Sequence, residues 1–195
     1  MSLVVAYKKD GVIYMGADTQ VTSGNGSEKV YCLGRDSLKI KLMPSGILMG
    51  RSGKVNVLQH LWSHPEWFTL PEDGVLTKRH IVNHIIPKIY HHFAEHGLFE
   101  NDGKEDPLHA EIALLLAHKD KLYRIGSRLG VTQIEHCVAI GSGTDFVLYG
   151  LEHPGDTPIP EHLERMLALG AECCPSVGGT SVLADTATNK IKIMR

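Results

Sequence analysis

The residues Met1-Ser2-Leu3-Val4-Val5-Ala6-Tyr7-Lys8-Lys9-Asp10-Gly11-Val12-Ile13-Tyr14-Met15-Gly16-Ala17-Asp18 decide how the chain folds. Two apolar runs, Leu3 to Tyr7 and Val12 to Ala17, flank Asp10-Gly11, a dipeptide suited to a tight hairpin turn. Both runs are almost continuously apolar, so the hairpin is expected to be buried on both faces. A chain that begins in a core strand has its first residues held in place, whereas most termini fray. Ser2 is therefore held, and the hairpin returns Asp18 to its side. Removal of Met1 would give Ser2 a hydroxyl and a free α-amine together. A serine hydroxyl needs a base to become nucleophilic, and an α-amine titrating near pH ~7.7–8.0 can be that base. The plain alternative is that Met-Ser is simply a common way for a chain to begin.

Working outward, the 195 residues suit one domain spanning residues 1–195. A net charge of −2 gives no basis for a nucleic-acid or anionic-membrane partner. No apolar run approaches the ~18–20 residues that span a bilayer. Lys8-Lys9-Asp10 interrupts the anatomy of a signal peptide. Cys32, Cys137, Cys173 and Cys174 lack Cys-x-x-Cys spacing, so reduced thiols and a cytoplasmic location are expected.

Residues 19–37 read as a long polar loop around Ser23-Gly24-Asn25-Gly26-Ser27, with a short strand near Val30-Tyr31-Cys32. A second hairpin runs from Leu38 to Met43 and from Ile47 to Gly50, and Arg51-Ser52-Gly53 ends it. Val55, Leu58, Leu61 and Trp62 recur at helical spacing up to Pro65. Thr77 caps a longer helix with Ile81, Ile85, Ile89 and Phe93 on one face, Pro87 as a kink and Gly97 as its end. A solvated loop follows at 101–106. Then come a hairpin, Ile112–Ala117 with Leu122–Ile125, and a strand, Cys137–Ile140, leading into Gly141-Ser142-Gly143. One helix carries Phe146, Val147, Tyr149 and Leu151. Another, from about Pro160 to Cys173, turns Leu163, Met166, Leu167 and Leu169 inward. Thr180–Ala184 and Lys190–Met194 form the last hairpin. Hairpins imply antiparallel sheets, and helices in consecutive pairs imply layers outside them. The fold class is α+β: a four-layer αββα sandwich of two antiparallel sheets flanked by helices.

Four segments resemble proteasome β-type subunits, and among them most the HslV-type peptidases of the N-terminal nucleophile hydrolases. The first hairpin ending at Asp18 is one, and Gln20-Val21-Thr22-Ser23-Gly24 is the second. The third runs from Lys39-Ile40 to Gly50-Arg51-Ser52-Gly53, and Ala139-Ile140-Gly141-Ser142-Gly143-Thr144 is the fourth. In this register Ser2 falls on the nucleophile, which is threonine in most relatives. The resemblance implies that Lys39, placed by Asp18, puts positive charge beside the hydroxyl and amine, favouring neutral amine and alkoxide. It implies that the Gly53 N–H holds the oxyanion and that Ser142 orients the amine. Gln20 and Thr22 would cradle substrate, and Arg51 would line the first specificity pocket and favour acidic side chains. The plainer readings are a structural Lys39–Asp18 ion pair, a strand break at Gly53 and an N-cap at Ser142.

The expected activity is therefore threonine/serine-type hydrolysis of peptide or other amide bonds, with no cofactor and no metal. The alternative is a catalytically silent subunit serving as a scaffold or ring component. Ser2 has no free amine while Met1 is retained, which favours the silent reading. So do Cys174 and Val177, which replace residues usually polar in the family; neither Ser176 nor Glu172 fits the register to substitute. The resemblance further implies a homo-oligomeric ring acting on peptides or unfolded proteins, with an ATPase unfoldase as a possible partner. The helices at 55–62 and 81–93 are expected to leave apolar faces for neighbouring subunits. Of the 12 histidines, His80 with His84 and His92 with His96 have the i, i+4 spacing of metal ligands, but a solvated polar face explains them better. Cys173-Cys174 reads as a buried pair of small apolar residues rather than a redox pair.

Overall fold

The computed structural model describes residues 2–23, 28–31, 34, 37–100 and 109–194. Met1, Cys32, most of the loop at 23–27 and the loop at 101–106 lie outside the described residues. Strand β1 (Leu3–Lys9) pairs antiparallel with β2 (Val12–Ala17), with Tyr7 opposite Tyr14. Asp10 and Gly11 both take positive φ, 51° and 76°, as a two-residue hairpin turn requires. The short strands β3 (Gln20–Ser23) and β4 (Glu28–Tyr31) form a separate ribbon.

The next elements are β5 (Ile40–Leu42), β6 (Leu48–Gly53), α1 (Val55–Ser63) and a 3₁₀ turn at Pro65–Trp67. The second long helix begins with one α turn, Lys78–His80, capped by the Thr77 hydroxyl. It widens to a π turn over Ile81–Ile85 and continues as α2 (Ile86–Glu95). Pro87 has no N–H to donate one turn back, and the π turn absorbs the missing bond in place of a sharp kink. Strands β7 (Ile112–His118), β8 (Lys121–Ile125), β9 (Val131–Ile134) and β10 (Cys137–Gly141) follow. Helices α3 (Thr144–Glu152) and α4 (Ile159–Cys173) precede β11 (Val182–Asp185) and β12 (Ile191–Ile193). Strand β9 was not anticipated, since Thr132 and Gln133 carry no apolar alternation.

One sheet has the order β10-β1-β2-β11-β12 and the other β5-β6-β7-β8-β9. Alternation along β1 sends Val4 and Ala6 to one face and Leu3, Val5 and Tyr7 to the other. The first set packs with Ile40, Leu48, Leu115 and Leu122, which joins the two sheets face to face. The second set packs with Val147, Leu151, Leu163 and Leu167 of α3 and α4. The outer face of the other sheet buries Met49, Leu114 and Leu116 against Leu61, Trp62, Ile85, Ile89 and Phe93. Three cores between four layers give the αββα arrangement.

Two expectations need correction. The apolar faces at 55–62 and 81–93 are largely satisfied within the subunit, because both pack into one core. The exposed large apolar residues of the helices are Val55 on α1, Val82 and Tyr90 on the second long helix, and Phe146, Leu148 and Tyr149 on α3. Cys173 and Cys174 are not a buried pair: Cys174 is buried and Cys173 exposed, because the helix ends between them. Among the described residues, no helix is long and apolar enough to cross a membrane.

Candidate active site

Asp18 stands just after β2 and is almost fully buried. Its Oδ1 accepts the Leu3 N–H at 2.8 Å and the Lys39 ammonium at 2.6 Å. Its Oδ2 accepts the N–H groups of Gln20 and Gly178, both at 3.2 Å. One carboxylate thus ties the start of β1, the lysine and the 178 loop together. Lys39 Nζ also donates to the Gln20 carbonyl at 2.6 Å. A buried ion pair survives only when its remaining polar atoms are satisfied, and these backbone groups meet that condition for Asp18.

Ser2 is buried, and its hydroxyl donates to Ser52 Oγ at 2.6 Å. Ser52 had not been singled out from the sequence. Its only signal there was its place beside Gly53. Gly53 ends β6 with φ +141°, and a Cβ there would stand 2.0 Å from the Glu111 carbonyl oxygen, so only glycine fits. The strand break is real, and it also brings a backbone to the rim of the site. A cavity of about 300 Å³ is lined by Ser2, Lys39, Arg51, Gly53, Val21, Val30, Val55 and Leu58, among others. A second, of about 360 Å³, lies against Thr22, Ser52, Gly53, Lys54, Val55, Glu111 and Ser142. Gly53 and Val55 line both, so the two spaces adjoin at the end of β6.

The other sequence candidates divide. Arg51 is in the wall of the first cavity, its guanidinium 3.9 Å above the Trp62 ring and its Nη2 donating to the Ser37 carbonyl at 3.4 Å. Thr22 borders the second cavity, whereas Gln20 is a buried brace whose amide donates to Thr22 Oγ1 at 3.0 Å and the Pro175 carbonyl at 2.8 Å. Ser142 is not an N-cap: Gly143 holds that position without a side-chain bond, and Thr144 Oγ1 donates to the Gly141 carbonyl. Ser142 Oγ instead approaches the Ser2 carbonyl oxygen at 3.4 Å, and the Cys174 thiol approaches Ser142 Oγ at 3.8 Å. Val177 is buried with Leu3 and Val147, and Glu172 faces solvent.

The histidines form a seam elsewhere. His60 Nδ1 lies 2.8 Å from His92 Nε2, and the rings of His64 and His96 lie 4.9 and 4.0 Å from that of His92. His92 is therefore not part of a purely solvated face, because α1 covers it. Burial is the main cause holding its pKa below the ordinary 6.5, with His96, His64 and His60 adding to the shift. Among the described residues, no group of three or more His, Cys, Asp or Glu could hold a metal ion.

This fold, with residue 2 at the mouth of β1 and a buried Lys–Asp pair bound to that strand, is that of proteasome β-type subunits and HslV, the N-terminal nucleophile hydrolase fold. BPH, a bacterial proteasome homolog of Thiobacillus denitrificans, matches over 94% of this chain and 96% of its own, with a TM-score of 0.73 at 19% identity. The same protein in complex with epoxomicin matches over 94% and 97%, with a TM-score of 0.71 at 18% identity. A eukaryotic HslV from Trypanosoma brucei matches over 94% and 98%, with a TM-score of 0.63 at 14% identity. No protein-family model matches the sequence, and no curated protein matches it.

Proposed function

We propose that this chain, once Met1 is removed, is a proteasome/HslV-like N-terminal-nucleophile hydrolase that cleaves peptide or other amide bonds with Ser2. The observation that carries the reading is one cavity lined by Ser2, Lys39 and Gly53, with Asp18 bound to both Lys39 and the strand that follows Ser2. The freed α-amine takes the hydroxyl proton as the oxygen attacks the amide carbon. Lys39 favours the developing alkoxide by charge. The Gly53 N–H stabilises the tetrahedral oxyanion. Collapse breaks the C–N bond, the ammonium returns its proton to the leaving amine, and water then hydrolyses the ester on Ser2. Thr22 would hold extended substrate, with Gln20 bracing it. Arg51, amid Val21, Val30, Val55 and Leu58, would favour an acidic side chain with an apolar stem.

The subunit would act in a homo-oligomeric ring that secludes the Ser2 sites, with Phe146, Leu148 and Tyr149 offering apolar contact area. Such a chamber would admit peptides directly and folded proteins only through an unfoldase ATPase. The competing reading is a silent ring component, favoured by the Cys174 thiol beside Ser142 and by Val177 in the apolar core. A β-lactone or vinyl sulfone followed by peptide mass spectrometry separates the two. Labelling of Ser2 in Met-free protein, and not in the Met1-retaining form, is expected. No labelling of either form supports the silent component, and equal labelling of both removes the α-amine as base.

A further inference from the structure

We propose that Ser52 is a positioning residue that selects the reactive rotamer of Ser2; the role in hydrolysis rests on the reading above, but the rotamer selection does not. A serine side chain has three staggered χ1 wells and no β-branch to choose among them, unlike threonine. Something outside the side chain must choose for it. The Ser2 hydroxyl donates to Ser52 Oγ at 2.6 Å, and both residues are almost fully buried. Ser52 is itself fixed. It pairs with Ala113 across β6 and β7, next to the Gly53 step, and a Cβ on Gly141 would stand 2.9 Å from its hydroxyl oxygen. The bond crosses from one sheet to the other and joins residues 50 positions apart. Ser52 also borders the second cavity, whereas Ser2 borders the first. The bond thus ties the lining of one space to the lining of the other, and holds the Ser2 hydroxyl on the Gly53 side of the first, where the proposed reaction needs it. Holding the attacking oxygen there removes rotational freedom from the step that forms the C–O bond.

The test uses Met-free wild type, Ser52→Ala, Ser2→Thr and the double variant, read by crystallography and by hydrolysis of a fluorogenic peptide. In crystals, Ser2 is expected in one rotamer in wild type and spread over several in Ser52→Ala. In hydrolysis, Ser52→Ala is expected to lower kcat about tenfold with KM unchanged, well short of the ~10²-fold that a 1 Å misplacement can cost. The acid limb of the pH profile is expected to stay in place, since the amine remains the base. In the Ser2→Thr background the same change is expected to cost much less, because the β-branch already restricts χ1. A single unchanged Ser2 rotamer in Ser52→Ala overturns the proposal, as does an equal kcat loss in both backgrounds. If wild type neither hydrolyses peptide nor takes the electrophile, the hydrolase reading fails, while the crystallographic comparison still judges Ser52.

Discussion

The two walls that flank Ser2 are built in opposite ways. On one wall, Asp18, Lys39 and the Gln20 carbonyl form a dense polar network with contacts of 2.6 to 3.2 Å. On the other, Ser142 reaches the Ser2 carbonyl only at 3.4 Å, a thiol stands 3.8 Å behind it, and Val177 belongs to an apolar core. Distances of that length are weak hydrogen bonds at best. The difference teaches that the two sides of Ser2 are held independently: in the proposed hydrolase, charge stabilisation of the hydroxyl would rest on the dense wall and orientation of the amine on the sparse one.

Breaking the polar wall has the largest expected effect. Lys39→Met keeps the side-chain length but leaves the Asp18 carboxylate buried without its cation, which costs about 3–5 kcal/mol in denaturant melts. Electrophile labelling of Ser2 is expected to fall by on the order of 10³-fold, well beyond what partial unfolding explains. If labelling survives, Lys39–Asp18 is only a structural pair. Gly53→Ala comes next. A Cβ at φ +141°, against the Glu111 carbonyl, is expected to destabilise the fold by about 3 kcal/mol or more and to abolish labelling. Normal stability in that variant would show that β6 ends differently.

The third test rebuilds the weaker wall. Cys174→Asp places a carboxylate near Ser142 and the amine. A nearby negative charge favours the ammonium, so the acid limb of the rate profile is expected to move to higher pH by about one unit. Peptide hydrolysis measured against pH checks it, and an unmoved limb would mean that position 174 is electrostatically remote from the amine. The smallest effect lies away from both walls, at the α1–α2 histidine seam. The pKa of His92 is lowered in the folded chain, first by burial and then by His96, His64 and His60, with Glu95 opposing. As pH falls below about 6.5, the unfolded chain takes up this proton before the folded one, so stability falls with acidification. Above that pH the group contributes no slope. Urea melts between pH 7.5 and 5.5 are expected to show this loss, and His92→Gln to flatten it; an equal slope in the variant would assign the loss to His80 or His118, which burial also shifts downward.

Much of the fold was legible because its signals are local. The continuous apolar runs of β1 and β2, the Asp10-Gly11 turn and the helical stripe from Ile81 to Phe93 are each read from neighbouring residues. The order of elements then implied layers. Strand β9 escaped because its residues are largely polar, and the π turn at Ile81–Ile85 because a proline reads as a kink whether or not the helix can widen. Ser2 and Asp18 could be paired in advance because one hairpin joins them, whereas Lys39 and Gly53 were named only through the resemblance of four segments to proteasome β-type subunits.

What the sequence determined by itself was which residues enter the core, since burial follows from apolar periodicity and composition. What only the tertiary structure decided was which elements meet. Ser52 could not be matched to Ser2, nor His60 to His92, because these pairs lie 50 and 32 residues apart and neither member carries a mark of the other. The choice of partner depends on how two sheets and two helices settle against one another, and that is a property of packed volume rather than of any local pattern.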